Sequence, residues 1–188
     1  MVKVAISITT DEDYFENEDL QDAWISVLEE VVPKVDPKFI SEFVINPIKE
    51  VCGLKNPFAK RKHGNRILFA VAKNVGEKVF DSDPNIMKLC LSVCHDNNYK
   101  IRRDGVKFLK EYFNLNKEQI LKSKRFEDVY LPELFDFLGD EDSHIQIDAI
   151  EAFCEVIDEI PEGDEEKILD DFVPCFLLHI DVDEDKDF

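Results

Sequence analysis

Two cysteines and a histidine form the group in this chain that most resembles a metal site. Cys90 and Cys94 are one helical turn apart and His95 follows them, and thiolates and imidazoles are the usual ligands of zinc. A structural zinc ion needs four such ligands, and the sequence offers no second pair at a suitable spacing. Both cysteines also fall on an apolar stripe, where cysteine behaves as a small hydrophobic residue. We therefore expect no metal ion and no cofactor at this position.

An aspartate-rich segment near the C-terminus resembles the start of a calcium-binding loop. Asp181, Asp183 and Asp185 match the first ligand positions, but Lys186 occupies the place of the required glycine. The sequence also ends before the bidentate glutamate that closes such a loop. We expect a solvated acidic tail instead of a calcium site.

Catalytic constellations are also missing from the sequence. Three histidines stand apart from any nucleophile pattern: His63, His144 and His179. There is no glycine-rich phosphate loop and no predicted strand for one to follow. We therefore expect a protein without catalytic residues, which is not an enzyme.

Basic residues gather at the start of two predicted helices, although the formal net charge of the chain is −19. Stacking of these helices would join the two groups into one surface, which we call the basic strip. Its members are Lys55, Lys60, Arg61, Lys62, Arg66, Lys100, Arg102, Arg103 and Lys107. Such a strip suits docking of an acidic segment of a partner protein. The alternative is a solvated helix face combined with arginines that pair inside the fold.

The negative charge argues against two other kinds of partner. It would repel the phosphate backbone of a nucleic acid and the anionic surface of a membrane. No stretch approaches the ~20 apolar residues of a membrane helix, and the apolar run Val4 to Ile8 is too short for a signal peptide. Five cysteines within apolar stripes suggest reduced core thiols and a cytoplasmic location.

The helices that position these residues recur along the chain. Apolar helical stripes begin near small residues at spacings of 41, 41 and 44, namely Ala23, Gly64, Gly105 and Ala149. Segments preceding such stripes, and one near the C-terminus, carry prolines in matching places: Pro47, Pro132 and Pro174. A period of about 40–47 residues built from two helices is typical of HEAT and armadillo repeats. We therefore predict an all-α, right-handed α-solenoid of about four and a half helical hairpins.

The predicted array covers residues 1–188, with units 1–34, 35–80, 81–116, 117–162 and 163–180 and the acidic tail 181–188. Residues 1–9 read as the end of a helix whose beginning is missing, and the last unit supplies only a first helix. We expect the apolar face of 168–177 to be exposed. Either the chain is a piece of a longer array, or its open ends contact further repeats or another chain.

Two expectations concern packing within the units. In the helix from Leu20 to Val32, we expect the core stripe to be Trp24, Val27, Leu28 and Val31. The small residue of each stripe should allow neighbouring helices to approach closely. Such packing would offset the ~1 kcal/mol that glycine costs in a helix relative to alanine.

One turn closely resembles the conserved turn pattern of HEAT repeats. Asp96 is followed five and six positions later by Ile101 and Arg102, as in that family. In the fourth unit Asp140 keeps the spacing, but Gln146 stands in place of the arginine. Since the family builds a ladder of Asp–Arg hydrogen bonds between repeats, we expect an incomplete ladder here.

Over residues 18–180 the chain resembles the HEAT-repeat regulatory subunits of protein phosphatase 4, which are similar to the scaffold subunit of protein phosphatase 2A. The likeness rests on Leu20-Gln21-Asp22-Ala23-Trp24, Leu28 to Pro33, Ile67-Leu68, Leu91 to Asp96 and Leu131-Pro132-Glu133-Leu134. It implies a non-catalytic cytoplasmic scaffold that associates with a Ser/Thr phosphatase catalytic subunit. The alternative is a structural array in a cytoskeletal or ciliary, tubulin-associated assembly. Lys55 and Phe58 near a turn favour that alternative, whereas Asp96 and Asp140 oppose it.

Overall fold

The computed structural model describes residues 17–75, 80, 84–160, 169–170 and 173–174, and this part is helical without strands. The predicted all-α class is therefore confirmed. The chain divides into two compact units, Met1–Lys117 and Glu118–Phe188, which are described separately below. Within the described ranges, no helix combines the length and apolar character needed to cross a bilayer.

The helices follow one another in this order: α1 (Glu18–Val31), α2 (Pro37–Ile40), α3 (Asn46–Val51), α4 (Phe58–Val75), α5 (Pro84–Cys94), α6 (Tyr99–Ile120), α7 (Leu131–Leu138) and α8 (Ser143–Ile157). A 3₁₀ turn, Val32–Lys34, follows α1. Side-chain caps begin four of these helices. Asn17, Asp36, Asn98 and Asp142 accept hydrogen bonds from the backbone amides of Leu20, Lys38, Lys100 and His144, respectively. In the first unit α4 packs against α1, α3 and α5, and in the second unit α7 packs against α8.

Two wide helical turns precede the matching prolines at 47 and 132. The π-helical turns Ser41–Ile45 and Phe126–Tyr130 lead directly into α3 and α7. Each turn is closed by a bond from the residue just before the proline to a carbonyl five residues back, from Asn46 to Ser41 and from Leu131 to Phe126. A proline has no N–H to donate and its ring collides with the carbonyl four residues earlier, so the backbone widens there.

The predicted apolar stripes of the middle helices form the core. In α4 the stripe residues Leu68, Val71 and Ala72 are fully buried. Most predicted residues of the neighbouring stripes are buried as well: Ile40, Val44, Ile48, Val51, Ile86, Cys90, Val93, Ile101, Phe108, Leu109 and Tyr112. Three other predicted stripe residues are only half-buried: Phe43, Val75 and Leu89. In the second unit, burial extends over Leu131, Leu134, Leu138, Ala149, Ala152, Phe153 and Val156.

Two helix glycines lie where helices touch. A Cβ atom on Gly64 would lie 2.7 Å from Val51 Cγ1, and one on Gly105 would lie 2.8 Å from Cys94 Sγ and 3.1 Å from Cys94 Cα. These distances are shorter than normal van der Waals contact, so only glycine fits without a shift. The predicted close approach is confirmed at both positions.

The predicted core stripe of α1 is wrong in most of its members. Leu28 is buried, but Trp24 is only partly buried, and Val27 and Val31 are 44% and 38% exposed. Instead, α1 packs against α4, and its buried residues are Gln21 and Leu28. The other helix predicted for this unit, in residues 1–9, lies outside the described residues. Ala23 is likewise exposed, unlike the buried Gly64, Gly105 and Ala149.

Several predicted features of the C-terminal segment fall on residues that are not described. They are the tail 181–188 and most of the unit 163–180. Of the apolar face predicted at 168–177, Leu169 and Val173 are described, and both are exposed as expected.

Candidate functional site

Arg61, a member of the basic strip, lies inside the first unit instead of on its surface. Its Nε and Nη2 donate to the two carboxylate oxygens of Asp96, each at 2.9 Å. Nη1 donates to the carbonyl oxygen of Asn56 at 2.8 Å, and Nη2 also donates to Asn97 Oδ1 at 3.0 Å. The side chains of Arg61 and Asp96 are only 8% and 3% exposed. A guanidinium engaged in this way holds two turns together, so we leave Arg61 out of any docking surface.

A second member of the strip, Arg102, supports the same turn. It donates from Nη1 to the backbone carbonyl of Asp96 at 3.1 Å. In the second unit, Gln146 Nε2 donates to the backbone carbonyl of Asp140 at 2.8 Å. The aspartates match as well, because Asp96 Oδ1 and Asp140 Oδ1 each accept a bond from the amide two residues ahead. The glutamine that departs from the HEAT pattern therefore makes the same hydrogen bond as the arginine.

Four other members of the strip surround one carboxylate. Burial raises the pKa of Asp104, and the nearby charges of Lys62, Lys107, Arg66 and Arg103 act against that rise. Lys62 and Arg66 are one turn apart on α4, and Arg103 and Lys107 are one turn apart on α6. The structure thus brings these four cations together, and we call them the basic cluster.

The three remaining lysines of the strip lie toward the turns. Lys55 is exposed between α3 and α4, and Lys60 is half-buried in the first turn of α4. Lys100 is exposed at the start of α6, with its ammonium group 5.9 Å from the centre of the Tyr99 ring.

Polar contacts tie α1, α4 and α6 along one face. Arg66 pairs with Asp22 of α1. Lys73 lies 2.9 Å from Glu29 of α1 and 2.5 Å from Glu111 of α6. Burial lowers the pKa of Lys73, but the hydrogen bonds to Glu111 and Glu29 outweigh this effect and raise it. Lys73 is therefore a charged link between helices that are distant in sequence.

A cavity of about 240 Å³ opens on this face of the first unit. Its apolar floor consists of Ile25, Phe69, Ala70 and Phe108. The rings of Phe69 and Phe108 stack with centres 4.4 Å apart and planes 10° apart. Charged side chains of both signs form the rim: Glu29, Arg66, Lys73, Asp104, Lys107 and Glu111. We call this cavity, together with its rim, the cleft.

The cleft was not predicted from the sequence, although a periodic signal for it exists. On α6, Asp104, Lys107, Phe108 and Glu111 follow the i, i+3, i+4, i+7 spacing of one helix face. Grouping the cations by charge alone leaves out the acidic and aromatic residues beside them on the same helix face. Lys107 belongs both to the basic cluster and to the rim of the cleft.

Two buried polar side chains lie close together in α4. Burial, followed by the charge of Arg66, lowers the pKa of His63 to about 4. Asn65 is fully buried, and its amide makes no hydrogen bond to any residue that the structure describes. Neither residue lines the cleft.

The predicted core thiols are confirmed at three positions, Cys52, Cys90 and Cys94, which are free and buried. Burial, followed by the charge of Asp96, raises the pKa of Cys52 to about 12, and burial also raises the pKa of Cys90. The prediction is wrong for Cys154, which is exposed on α8, and Cys175 lies outside the described residues. Among the described residues, no three His, Cys, Asp or Glu side chains are grouped to hold a metal ion.

Comparison of the chain with protein-family models gives no match. Comparison with curated proteins gives no match either.

Proposed function

We propose that this chain is a non-catalytic cytoplasmic scaffold that binds another protein through the face formed by α1, α4 and α6. The observation that carries the proposal is the basic cluster beside the cleft, which groups four cations near Asp104 on a chain of net charge −19. Such a local charge attracts an acidic segment and sets its orientation, while the remaining surface repels nonspecific anionic partners.

We further propose that the helical hairpins stack as a right-handed α-solenoid of the HEAT type. The matched turns at Asp96 and Asp140 and the matched π turns support this proposal, because repeated units should repeat their irregularities. The Arg61–Asp96 pair joins the second predicted unit to the third, as a repeat ladder would.

The proposed partner is the catalytic subunit of a Ser/Thr phosphatase of the protein phosphatase 4 or 2A type, on the strength of the sequence resemblance. The alternative partner is tubulin, in a cytoskeletal or ciliary assembly. It is favoured by exposed residues at or next to turns, Lys55, Tyr99 and Lys100, since a tubulin-binding array should present basic and aromatic side chains along its turn edge.

Direct binding of purified partners to the immobilised full chain tests these assignments. We expect the phosphatase catalytic subunit to bind and tubulin not to bind. Reversing the charge of Lys60, Lys62, Arg103 and Lys107 together should weaken binding and reduce its dependence on salt. Binding of tubulin without the phosphatase would reverse the assignment, and binding of neither would refute the scaffold role we propose.

A further inference from the structure

Two turns of the first unit, one between α3 and α4 and the other between α5 and α6, are neighbours in space. The guanidinium group of Arg61 contacts both of them. Its Nη1 donates to the carbonyl oxygen of Asn56 in the first turn at 2.8 Å, and its Nη2 donates to Asn97 Oδ1 in the second turn at 3.0 Å. Because one side chain bridges them, the turns lie side by side. We call the exposed surface of residues 54–57 and 97–100 the paired-turn surface.

Hydrogen bonds within each turn fix the shape of this surface. In the first turn, Asn56 Nδ2 donates to the carbonyl oxygen of Glu50 at 2.6 Å. In the second turn, Asp96 Oδ1 accepts from the Asn98 amide at 2.8 Å, and Asn98 Oδ1 accepts from the Lys100 amide at 3.0 Å. Turns that are already held in one conformation lose little freedom when a partner binds, so this surface is preorganised for an interaction.

Each of the two turns exposes a large apolar side chain. Leu54 is 64% exposed, more than any other large apolar side chain that the structure describes, and Tyr99 is 47% exposed. Single exposed apolar residues are common on protein surfaces. Here an aliphatic and an aromatic side chain stand on adjoining turns, so a partner that covers both would remove apolar surface from water on each side of the contact.

The charge of the paired-turn surface is opposite to that of the whole chain, which has a net charge of −19. Three lysines lie on or next to the turns and form no ion pair with a residue that the structure describes: Lys55, Lys60 and Lys100. Two acidic residues occur in the segments 49–62 and 95–103, which form and flank the turns. One of them, Asp96, is buried and paired with Arg61, so Glu50 is the one exposed carboxylate of these segments.

We propose that the paired-turn surface binds an extended acidic segment of a partner protein. One apolar side chain of that segment packs against Leu54 and Tyr99, and its carboxylates contact Lys55 and Lys100. The unpaired lysines select the acidic character of the segment, because opposite charges orient a partner and exclude others. This inference rests on the protein-binding role proposed above and adds a contact surface that lies outside the cleft.

Fluorescence anisotropy with a short labelled peptide tests the inference on the full chain. The probe is a glutamate-rich peptide with one central leucine, and its matched control carries serine in place of the leucine. We expect the control peptide to bind about tenfold more weakly, because it loses the apolar contact. The variant Leu54→Ser with Tyr99→Ser should abolish this difference, since both substitutions remove the other side of the contact. Equal binding of the two peptides, no binding of either, or a difference that persists in the variant would overturn the proposal.

Charge-reversed variants test the role of the lysines. Lys55→Glu with Lys100→Glu should weaken binding of the leucine peptide about tenfold or more. Lys122→Glu with Lys124→Glu makes the same change in net charge at exposed positions of the second unit and should alter binding less than about threefold. Equal effects of the two pairs would show that binding follows net charge, which contradicts a site at the turns.

A third pair separates the paired-turn surface from the basic cluster. Lys62→Glu with Lys107→Glu reverses two charges of the cluster and leaves both turns unchanged. We expect binding of the leucine peptide to decrease less in this pair than in the Lys55→Glu, Lys100→Glu variant. The opposite order would place the peptide at the basic cluster and refute the assignment to the turns.

The chain also has acidic segments of its own, at 11–16 and 181–187. Changing their aspartates and glutamates to asparagine and glutamine removes them as competitors. At about 0.15 M salt, where distant charges are screened, this change should alter binding of the leucine peptide less than about threefold. A larger gain in affinity that disappears in the Lys55→Glu, Lys100→Glu background would assign the surface to one of these segments and overturn the assignment to a partner.

The peptide assay and the partner assay fail independently. A chain that binds the phosphatase but ignores the peptide would refute this inference alone. A chain that binds the peptide through the turns, but binds neither phosphatase nor tubulin, would refute only the partners named above.

Discussion

Removing the carboxylate of Asp96 should destabilise the first unit more than any other single change to its turns. The Asp96→Ala substitution deletes both acceptors of the Arg61 guanidinium and the acceptor of the Asn98 amide. Arg61 stays buried and charged, with the carbonyl of Asn56 and the side chain of Asn97 as remaining acceptors. The bond from Arg102 goes to the backbone carbonyl of Asp96, so the substitution does not delete it directly.

The size of the effect follows from the burial of the pair. Breaking a buried ion pair by removing one partner typically costs about 3–5 kcal/mol. Because Arg61 keeps two acceptors, we expect the lower end of that range, a loss of about 3 kcal/mol in the free energy of unfolding. Replacing Arg61 with leucine as well should recover part of this loss, because no unpaired charge then remains inside. The two substitutions should therefore couple by about 2 kcal/mol in a double-mutant cycle.

Urea unfolding followed by the fluorescence of Trp24 provides the measurement. Trp24 is the single tryptophan and lies in the first unit, so its signal reports on the unit that carries the substitution. Asn98→Ala is the control, since it deletes one exposed bond to the Lys100 amide and should cost about 1 kcal/mol or less. A loss below about 1 kcal/mol for Asp96→Ala, or the absence of coupling with Arg61, would refute the interior role of this pair.

Three other outcomes are expected. Gly105→Ala should lower the free energy of unfolding by about 1–2 kcal/mol in the same urea experiment, because the added Cβ would meet the backbone of Cys94. Gly53→Ala is the control, since its Cβ would make only ordinary contacts. Equal losses of stability in the two variants would contradict the close approach at Gly105. The pKa of His63 is about 4 in the folded chain against an ordinary 6.5, so the neutral form is favoured on folding. Stability should therefore fall by at most about 3 kcal/mol as pH drops from 6.5 to 4, and His63→Leu should flatten that slope; an unchanged slope would contradict this. Iodoacetamide should alkylate Cys154 well before the three buried thiols, as peptide mass spectrometry would show, and similar rates would contradict their burial.

Periodicity predicted the helices and most of their buried faces, because the apolar face of an amphipathic helix must pack against another element. The stripes of α4 and α8 needed no information beyond their own sequence. Gly64 and Gly105 were also informative, because glycine is unfavourable inside a helix and its presence there indicates a contact that a larger residue would prevent. At Gly105 the contact is the Cys94 side chain and backbone.

Contacts between residues that are distant in sequence could not be predicted from periodicity. Arg61 and Lys107 look alike in sequence, but Asp96, 35 residues from Arg61, draws only the first into the interior. The cleft draws on three helices, and the sequence does not state which residues of α1 face α4. Val27 and Val31 follow the apolar period faithfully and are nevertheless exposed in the described part of the chain, because periodicity defines a face without identifying what covers it.

The wide turns before Asn46 and Leu131 have a consequence for sequence change at those places. A π turn holds one residue more than the α-helical turn it replaces, so it shifts the phase of all side chains that follow by about 100°. The buried residues Ile40, Val44 and Ile48 lie before, within and after the turn that precedes Pro47. Replacing Pro47 alone leaves one residue too many for a regular helix. Deleting one residue from Ser41–Ile45 at the same time removes the extra residue. The chain should therefore tolerate the deletion combined with the Pro47 replacement better than it tolerates either change alone.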